Sequence, residues 1–184
     1  MNKTTKFIFI SLWIFLSRSY DAYSTYNFTP DLSKEANPLV TILNLNWSPL
    51  IITLLILFVW VIYCYYKATF TSYNLNPNEK GYNFSNFVGY VYIGKKQKWI
   101  STLYKLPNSI NRFNLIIGNL ISRCLVFAGI VSTSMLLLIN NTDFYKEIHN
   151  AYLIYSILII GSFFICRKWF LNEFKKYNTT TNNV

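Results

Sequence analysis

The chain has 184 residues, 53% of them hydrophobic and only 13% charged, with a formal net charge of +10. An ordinary soluble domain carries roughly 25% charged residues, so a typical soluble enzyme and a disordered tail are both excluded. The apolar residues fall in blocks of the size a bilayer demands, and the expected fold is an all-α membrane protein.

The composition also says something about the genome. Asn outnumbers Gln by 21 to 1, and Ile, Phe, Tyr and Lys far exceed Gly and Pro. These residues have A/T-rich codons, as in a very low-GC protist nuclear or organellar genome. A single Tyr or Asn therefore carries less functional weight here than elsewhere.

The first block, Phe7 to Leu16, follows Lys3 and Lys6 and precedes Ser17, Arg18 and Ser19. Its ten residues, nine of them apolar, cover about 15 Å as a helix, half of the ~30 Å hydrocarbon core. The order of basic, apolar and small residues resembles a leader, with Ala22 and Ser24 marking a cleavage site. Residues 1–24 are thus expected to be a leader or an uncleaved interfacial anchor, and the uncleaved anchor is preferred. Residues 25–47 form an outer segment.

Three stronger blocks follow. Pro49 to Tyr66 is free of charge, between Trp47 and Lys67, and predicts a first spanning helix over 48–66. Leu115 to Ile139, broken only by Asn119 and Arg123, predicts a second over 113–139. Ala151 to Cys166 is shorter, but Tyr152 and Trp169 sit at its ends as interfacial anchors do, which predicts a third over 151–168. Residues 140–150 form an outer loop and 169–184 an inner polar tail.

Charge orients these helices. The segment Arg18 to Trp47 is net −1, the loop Lys67 to Arg112 net +6, the loop Asn140 to Asn150 net −1, and the tail from Arg167 net +3. The alternation is the positive-inside pattern, with the large loop and the C-terminus inside. Basicity is then a matter of topology, and no nucleic-acid partner is expected. Within the basic loop 67–112, Phe87 to Ile93 and Lys98 to Tyr104 flank Gly94-Lys95-Lys96-Gln97. Two runs of β-branched and aromatic residues around a Gly-containing turn predict a β-hairpin, marginal by itself and so expected against a partner or the membrane surface.

No nucleotide loop, nucleophile elbow or zinc motif occurs. His149, the single histidine, is either a haem ligand completed by a neighbouring subunit or, as the preferred reading, an interfacial polar residue. Arg123 lies in a membrane block, where a central charge costs at least about 2.5–3.5 kcal/mol on insertion scales. It is expected to snorkel to the inner surface if the helix proper starts near Asn119, and otherwise to face a quinone, a lipid headgroup phosphate or a carboxylate on a partner. Cys64, Cys124 and Cys166 fall towards the inner ends of their helices, but without metal-ligand spacing they are expected to be small hydrophobes, not ligands. Gly118 and Ser122, Ala128 and Ser132, and Gly129 and Thr133 are each four apart, a small-xxx-small pattern that marks the second spanning helix as the central, partner-contacting helix. Asn-x-Ser/Thr matches at Asn27, Asn46, Asn83, Asn140 and Asn178 are expected by chance among so many asparagines.

The stretch Ser101 to Arg112, just before a membrane block, resembles the start of the first helix of the cytochrome-b-type membrane anchor of succinate dehydrogenase. Tyr104, Ser109, Ile110 and Arg112 carry the likeness, over about a dozen residues. It implies that Ser109 and Arg112 line a quinone site, and that any quinone or haem is shared with partner subunits, since the chain has no cofactor of its own.

These readings lead to one expectation and an alternative. The chain is expected to be a non-catalytic membrane subunit of a large respiratory complex in a mitochondrial inner membrane, with its large loop and C-terminus on the matrix side. Its partners would be other membrane subunits and anionic phospholipid of the inner leaflet. The alternative is a stand-alone secretory-pathway or surface protein with a cleaved signal peptide. A ribosome-associated factor using Lys95, Lys96 and Lys98 on RNA is a further possibility.

Overall fold

The computed structural model describes residues 2–33, 37–143 and 150–182. The elements are α1 (Lys3–Phe28), a single turn α2 (Pro38–Thr41), α3 (Trp47–Phe70), α4 (Phe84–Ile93), a 3-10 turn (Trp99–Leu103), α5 (Ile110–Asn141) and α6 (Ala151–Asn182). Among the described residues there is no strand. Three helices are long and apolar enough to cross a membrane, over Trp47–Phe70, Ile110–Ile139 and Tyr152–Thr180. Most of their surface faces outward, with Ile56, Val59, Ile159 and Phe163 all exposed, as lipid-facing side chains require.

The N-terminal segment departs from the expected short anchor. Asn2 caps α1 by accepting from the Thr4 amide, and the helix runs 26 residues, roughly 39 Å, straight through Ala22 and Ser24. It lies antiparallel to α3 along its whole length: Phe7 stacks on Tyr65, Phe15 meets Phe58, and Tyr26 meets Trp47, with ring centroids 5.3, 5.7 and 5.4 Å apart. Ser17 and Arg18, which end its apolar run, find partners inside the bundle. Arg18 pairs with Asp21 at 3.1 Å and donates to Ser132 Oγ at 2.6 Å, and buried Ser17 donates to the Ile14 carbonyl. A ten-residue apolar count misses such a helix because Ser17 and Arg18 are held by α5 and by their own turn.

α5 is the hub, packed against α1, α3 and α6. Its small residues are where the neighbours come closest. A Cβ on Gly118 would collide with the Cys64 carbonyl of α3, and one on Gly129 would meet Ser17 Oγ of α1 at 2.5 Å. Ser122 is buried and donates to the Gly118 carbonyl at 2.6 Å. The small-residue pattern was expected to meet a partner; the surfaces that Gly118 and Gly129 meet are this chain's own α3 and α1.

The basic loop is helical where a hairpin was expected. Asn83 caps α4 by accepting from the Asn86 amide at 2.9 Å, and Gly94 ends it in the left-handed region at φ +90°, the usual use of Gly beyond a helix C-terminus. The run Phe87–Ile93 has strand-like residue types, but burial decides its form. Phe87 and Val91, one helical turn apart, pack completely on α6, and tertiary packing overrides β-propensity. Gly89 is needed for a different reason: a Cβ there would collide with the Gln97 carbonyl.

The expected polar tail is also different. α6 continues unbroken from the third span to Asn182, and Trp169, Phe170, Phe174 and Tyr177 form a stripe that meets α4. Buried Tyr82, Phe87, Val91, Trp169 and Tyr177 form one core, flanked by Leu75, Tyr90, Leu120, Phe170 and Phe174. Tyr177 Oη accepts from the Tyr82 amide at 3.3 Å and donates to the Glu79 carbonyl at 2.7 Å. Burial holds the Tyr82 phenol above its ordinary pKa. This aromatic knot fixes the basic end of the bundle.

Candidate functional site

The four long helices all bring their basic ends to the knot side: the N-termini of α1 and α5 and the C-termini of α3 and α6. Between them lies a cleft of about 570 Å³. Four cations line it, Lys3 and Lys6 from α1, Arg123 from α5 and Lys168 from α6, and no carboxylate does. Among the described residues none of the four has an ion-pair partner. Deeper in the cleft the lining turns apolar, with Ile10, Val126, Ile130 and Ile165.

Arg123 keeps its place for a reason other than the one expected. α5 starts at Ile110, not near Asn119, so Arg123 is far from the helix end. Yet Cys124 and Cys166 sit side by side, Sγ to Sγ 3.9 Å, so Arg123 lies level with Arg167 and Lys168, where the charged end of α6 begins. The side chain is exposed into the cleft at the polar boundary that α6 sets.

Ser109 and Arg112 are brought together, as parts of the scaffold. Ser109 Oγ caps α5 by accepting from the Arg112 amide at 3.3 Å. The Arg112 side chain, only 5% exposed, donates through Nη1 to the carbonyls of Val91, Tyr90 and Leu75 at 2.7, 3.0 and 3.3 Å. The first two are last-turn carbonyls of α4, the negative end of its dipole, which a cation favours. The guanidinium also lies over the rings of Tyr90 and Tyr73, at 5.4 and 5.9 Å. Enclosed in this way, it ties α4 to α5 and does not reach the cleft.

The remaining expected site residues divide among the helix contacts. Gly118 and Ser122 face α3, while Gly129 and Ser132 face α1; Ala128 is half-buried on α5. Cys64 is buried, its thiol 3.8 Å from Asn114 Oδ1, apart from the Cys124–Cys166 pair. No group of three metal-ligating side chains occurs among the described residues. His149 lies outside the described residues. The sequence reading did not single out Lys3, Lys6 or Lys168 as site residues, because they come together only once α1 runs along the bundle. It also missed Gly161, where a Cβ would collide with the Phe127 ring and which lets α6 approach α5; isolated from any small-xxx-small pair, it gave no signal.

The fold and site define a class: an all-α, membrane-embedded helical bundle with an aromatic cap and a cation-lined cleft at one end. No protein-family model, no curated protein and no solved structure matches the chain.

Proposed function

We propose that the chain is a non-catalytic membrane subunit of a larger assembly. The observation that carries this reading is an apolar strip outside the spans. Trp99, Ile100, Leu103, Tyr104 and Leu106 are all exposed, Leu106 at 79%, on the segment joining α4 to α5. Exposed apolar side chains this close in sequence, interspersed with Lys95, Lys96, Lys98 and Lys105, mark an interaction surface more often than a solvated one. The low-GC composition makes a respiratory complex of a mitochondrial inner membrane the first assembly to examine, with the basic end on the matrix side. In that setting Ser109 and Arg112 serve the architecture that presents the strip, and any quinone or haem belongs to partner subunits.

The course of α1 favours this reading over the secretory one. Cleavage after Ser24 would remove Trp13, whose indole donates to the Val126 carbonyl at 3.3 Å, together with Ser17 and Arg18. α5 would lose one of its three packing partners.

The test is to solubilise native membranes in mild detergent and size the particle that holds this chain, identifying co-migrating proteins by mass spectrometry. A particle far larger than one chain in its micelle, with redox subunits present, is expected. A single-chain particle, glycosylated and lacking residues 1–24, would overturn the proposal.

A further inference from the structure

We infer that the cleft between α1, α3, α5 and α6 is a binding site for an anionic phospholipid, its headgroup phosphate held by Lys3, Lys6, Arg123 and Lys168. The inference rests on the membrane-embedded bundle and is independent of whether the chain has partners.

Three features point to this chemistry. The first is charge. Four cations from three helices face one cleft with no carboxylate among its lining residues and no ion-pair partner of their own among the described residues. Among the described residues, Asp21 pairs with Arg18 towards the other end of α1, and Glu173, beside the lining Asn172, is taken up by Lys176 at 2.6 Å. Like charges gathered without a counterion repel one another, and in a low-dielectric setting the repulsion is not screened away. A polyanion relieves it, and Arg in particular suits phosphate through its planar donor fork.

The second is the order of polarity with depth. Lys3 and Lys6 stand at the start of α1, and Ile10 lies a turn further in; on α6, Lys168 stands at the charged end, and Ile165 lies a turn further in. On α5, Arg123 is followed by Val126 and Ile130 on the same face. Each helix thus goes from cation to aliphatic in the same direction. An inorganic anion would use only the rim; an amphiphile with a phosphate head and an acyl chain uses both. The third is location. The cleft lies where the apolar stretch of α6 gives way to Arg167 and Lys168, and basic pockets between membrane helices are where anionic headgroups bind. Four cations favour a headgroup with more than one phosphate over a singly charged one.

The experiment uses the full chain purified in a neutral detergent. It compares thermal stability and bound phosphorus after addition of phosphatidylcholine, phosphatidylglycerol, cardiolipin or inorganic phosphate. Cardiolipin is expected to raise the melting temperature most, phosphatidylglycerol less, and phosphatidylcholine and inorganic phosphate not at all. The Arg123→Gln/Lys168→Gln variant, checked for an unchanged helical circular dichroism spectrum, is expected to bind cardiolipin about thirtyfold more weakly, from roughly 1 kcal/mol per basic residue near the headgroup. Lys3→Gln/Lys6→Gln, at the solvent end of α1, provides a second variant with the same expectation should the first not fold. Equal stabilisation by phosphatidylcholine would overturn the inference, as would undiminished cardiolipin binding in a folded variant. Stabilisation by inorganic phosphate as strong as by cardiolipin would also overturn it, in favour of a free-anion site. None of these outcomes changes the size of the native particle, so failure here and failure of the assembly proposal are separable.

Discussion

The aromatic knot and the membrane bundle are held together by opposite means. In the bundle the helices approach through the smallest side chains: Gly118 against the Cys64 carbonyl, Gly129 against Ser17, Gly161 against Phe127. In the knot they meet through the largest: Tyr82, Phe87, Trp169 and Tyr177, with Phe174 stacked within 6.1 Å of Tyr177. The difference follows from the solvent. Lipid gives no hydrophobic reward for hiding a Leu, so spanning helices gain by close backbone approach. Outside the hydrocarbon, removing aromatic surface from water is the strongest force available. Arg112 joins the two regimes, since it starts on α5 and ends on the carbonyls of α4.

The sharpest way to break the comparison is to put a large residue in the bundle. Gly118→Leu places its side chain in the Cys64 backbone, which cannot move aside, so α3 and α5 must separate. The expected outcome is loss of a monodisperse folded species in detergent, seen by size-exclusion chromatography. Phe87→Ala does the reverse, leaving a hole in the knot. It is expected to cost about 3–5 kcal/mol locally and to open residues 71–108 to protease, while oxidative cross-linking between Cys124 and Cys166 still occurs. Should both changes give the same unfolded product, the two regions are one cooperative unit and the comparison fails.

Smaller changes sharpen it. Ser109→Ala removes the cap of α5 and is expected to lower stability by about 1 kcal/mol, without changing any quinone-dependent activity of the native particle beyond the loss of folded protein. A specific fall in that activity at full folding would return Ser109 to a quinone site. The smallest effect is one of pH. Tyr82 has its folded pKa raised by burial, so its contribution is complete below the unfolded value of about 10 and is lost as pH rises through the folded value. Protease sensitivity of the knot should therefore rise above about pH 10, and Tyr82→Phe should remove that step.

The sequence was most legible where lipid dictates it. Long apolar runs at Pro49–Tyr66 and Leu115–Ile139 could only be helices, because hydrocarbon offers no other partner for the backbone, and both lie inside the observed spans. The small-residue spacing marked α5 as a contact helix, but for a partner, and the contacts it makes are with α3 and α1 of the same chain. Legibility fell where polar residues are satisfied by tertiary partners. Arg18 and Asp21 end the apolar run that a leader would have, yet they pair within α1 and on Ser132, so the helix goes on. Phe87–Ile93 has the residue types of a strand, and only contact with Phe174 and Tyr177 makes it a helix. The tail looked polar because Lys175, Lys176 and Asn178 were weighed together with Phe174 and Tyr177, although they lie on different faces. The cleft was half legible: Arg123 stood out as a charge in a membrane block, but its company depends on α1 lying alongside α3, which no local pattern encodes.

That course of α1 is the point on which the rest turns, for without it the cleft loses Lys3 and Lys6 and α5 loses a partner. The direct measurement is a short bifunctional thiol cross-link between Phe15→Cys and Phe58→Cys, made in the full chain in native membranes. Ring centroids 5.7 Å apart predict an efficient intrachain product, found by mass spectrometry as a peptide from residues 7–18 joined to one from α3. Absence of that product in a mature chain that begins after Ser24, or a cross-link only to another protein, would contradict the account.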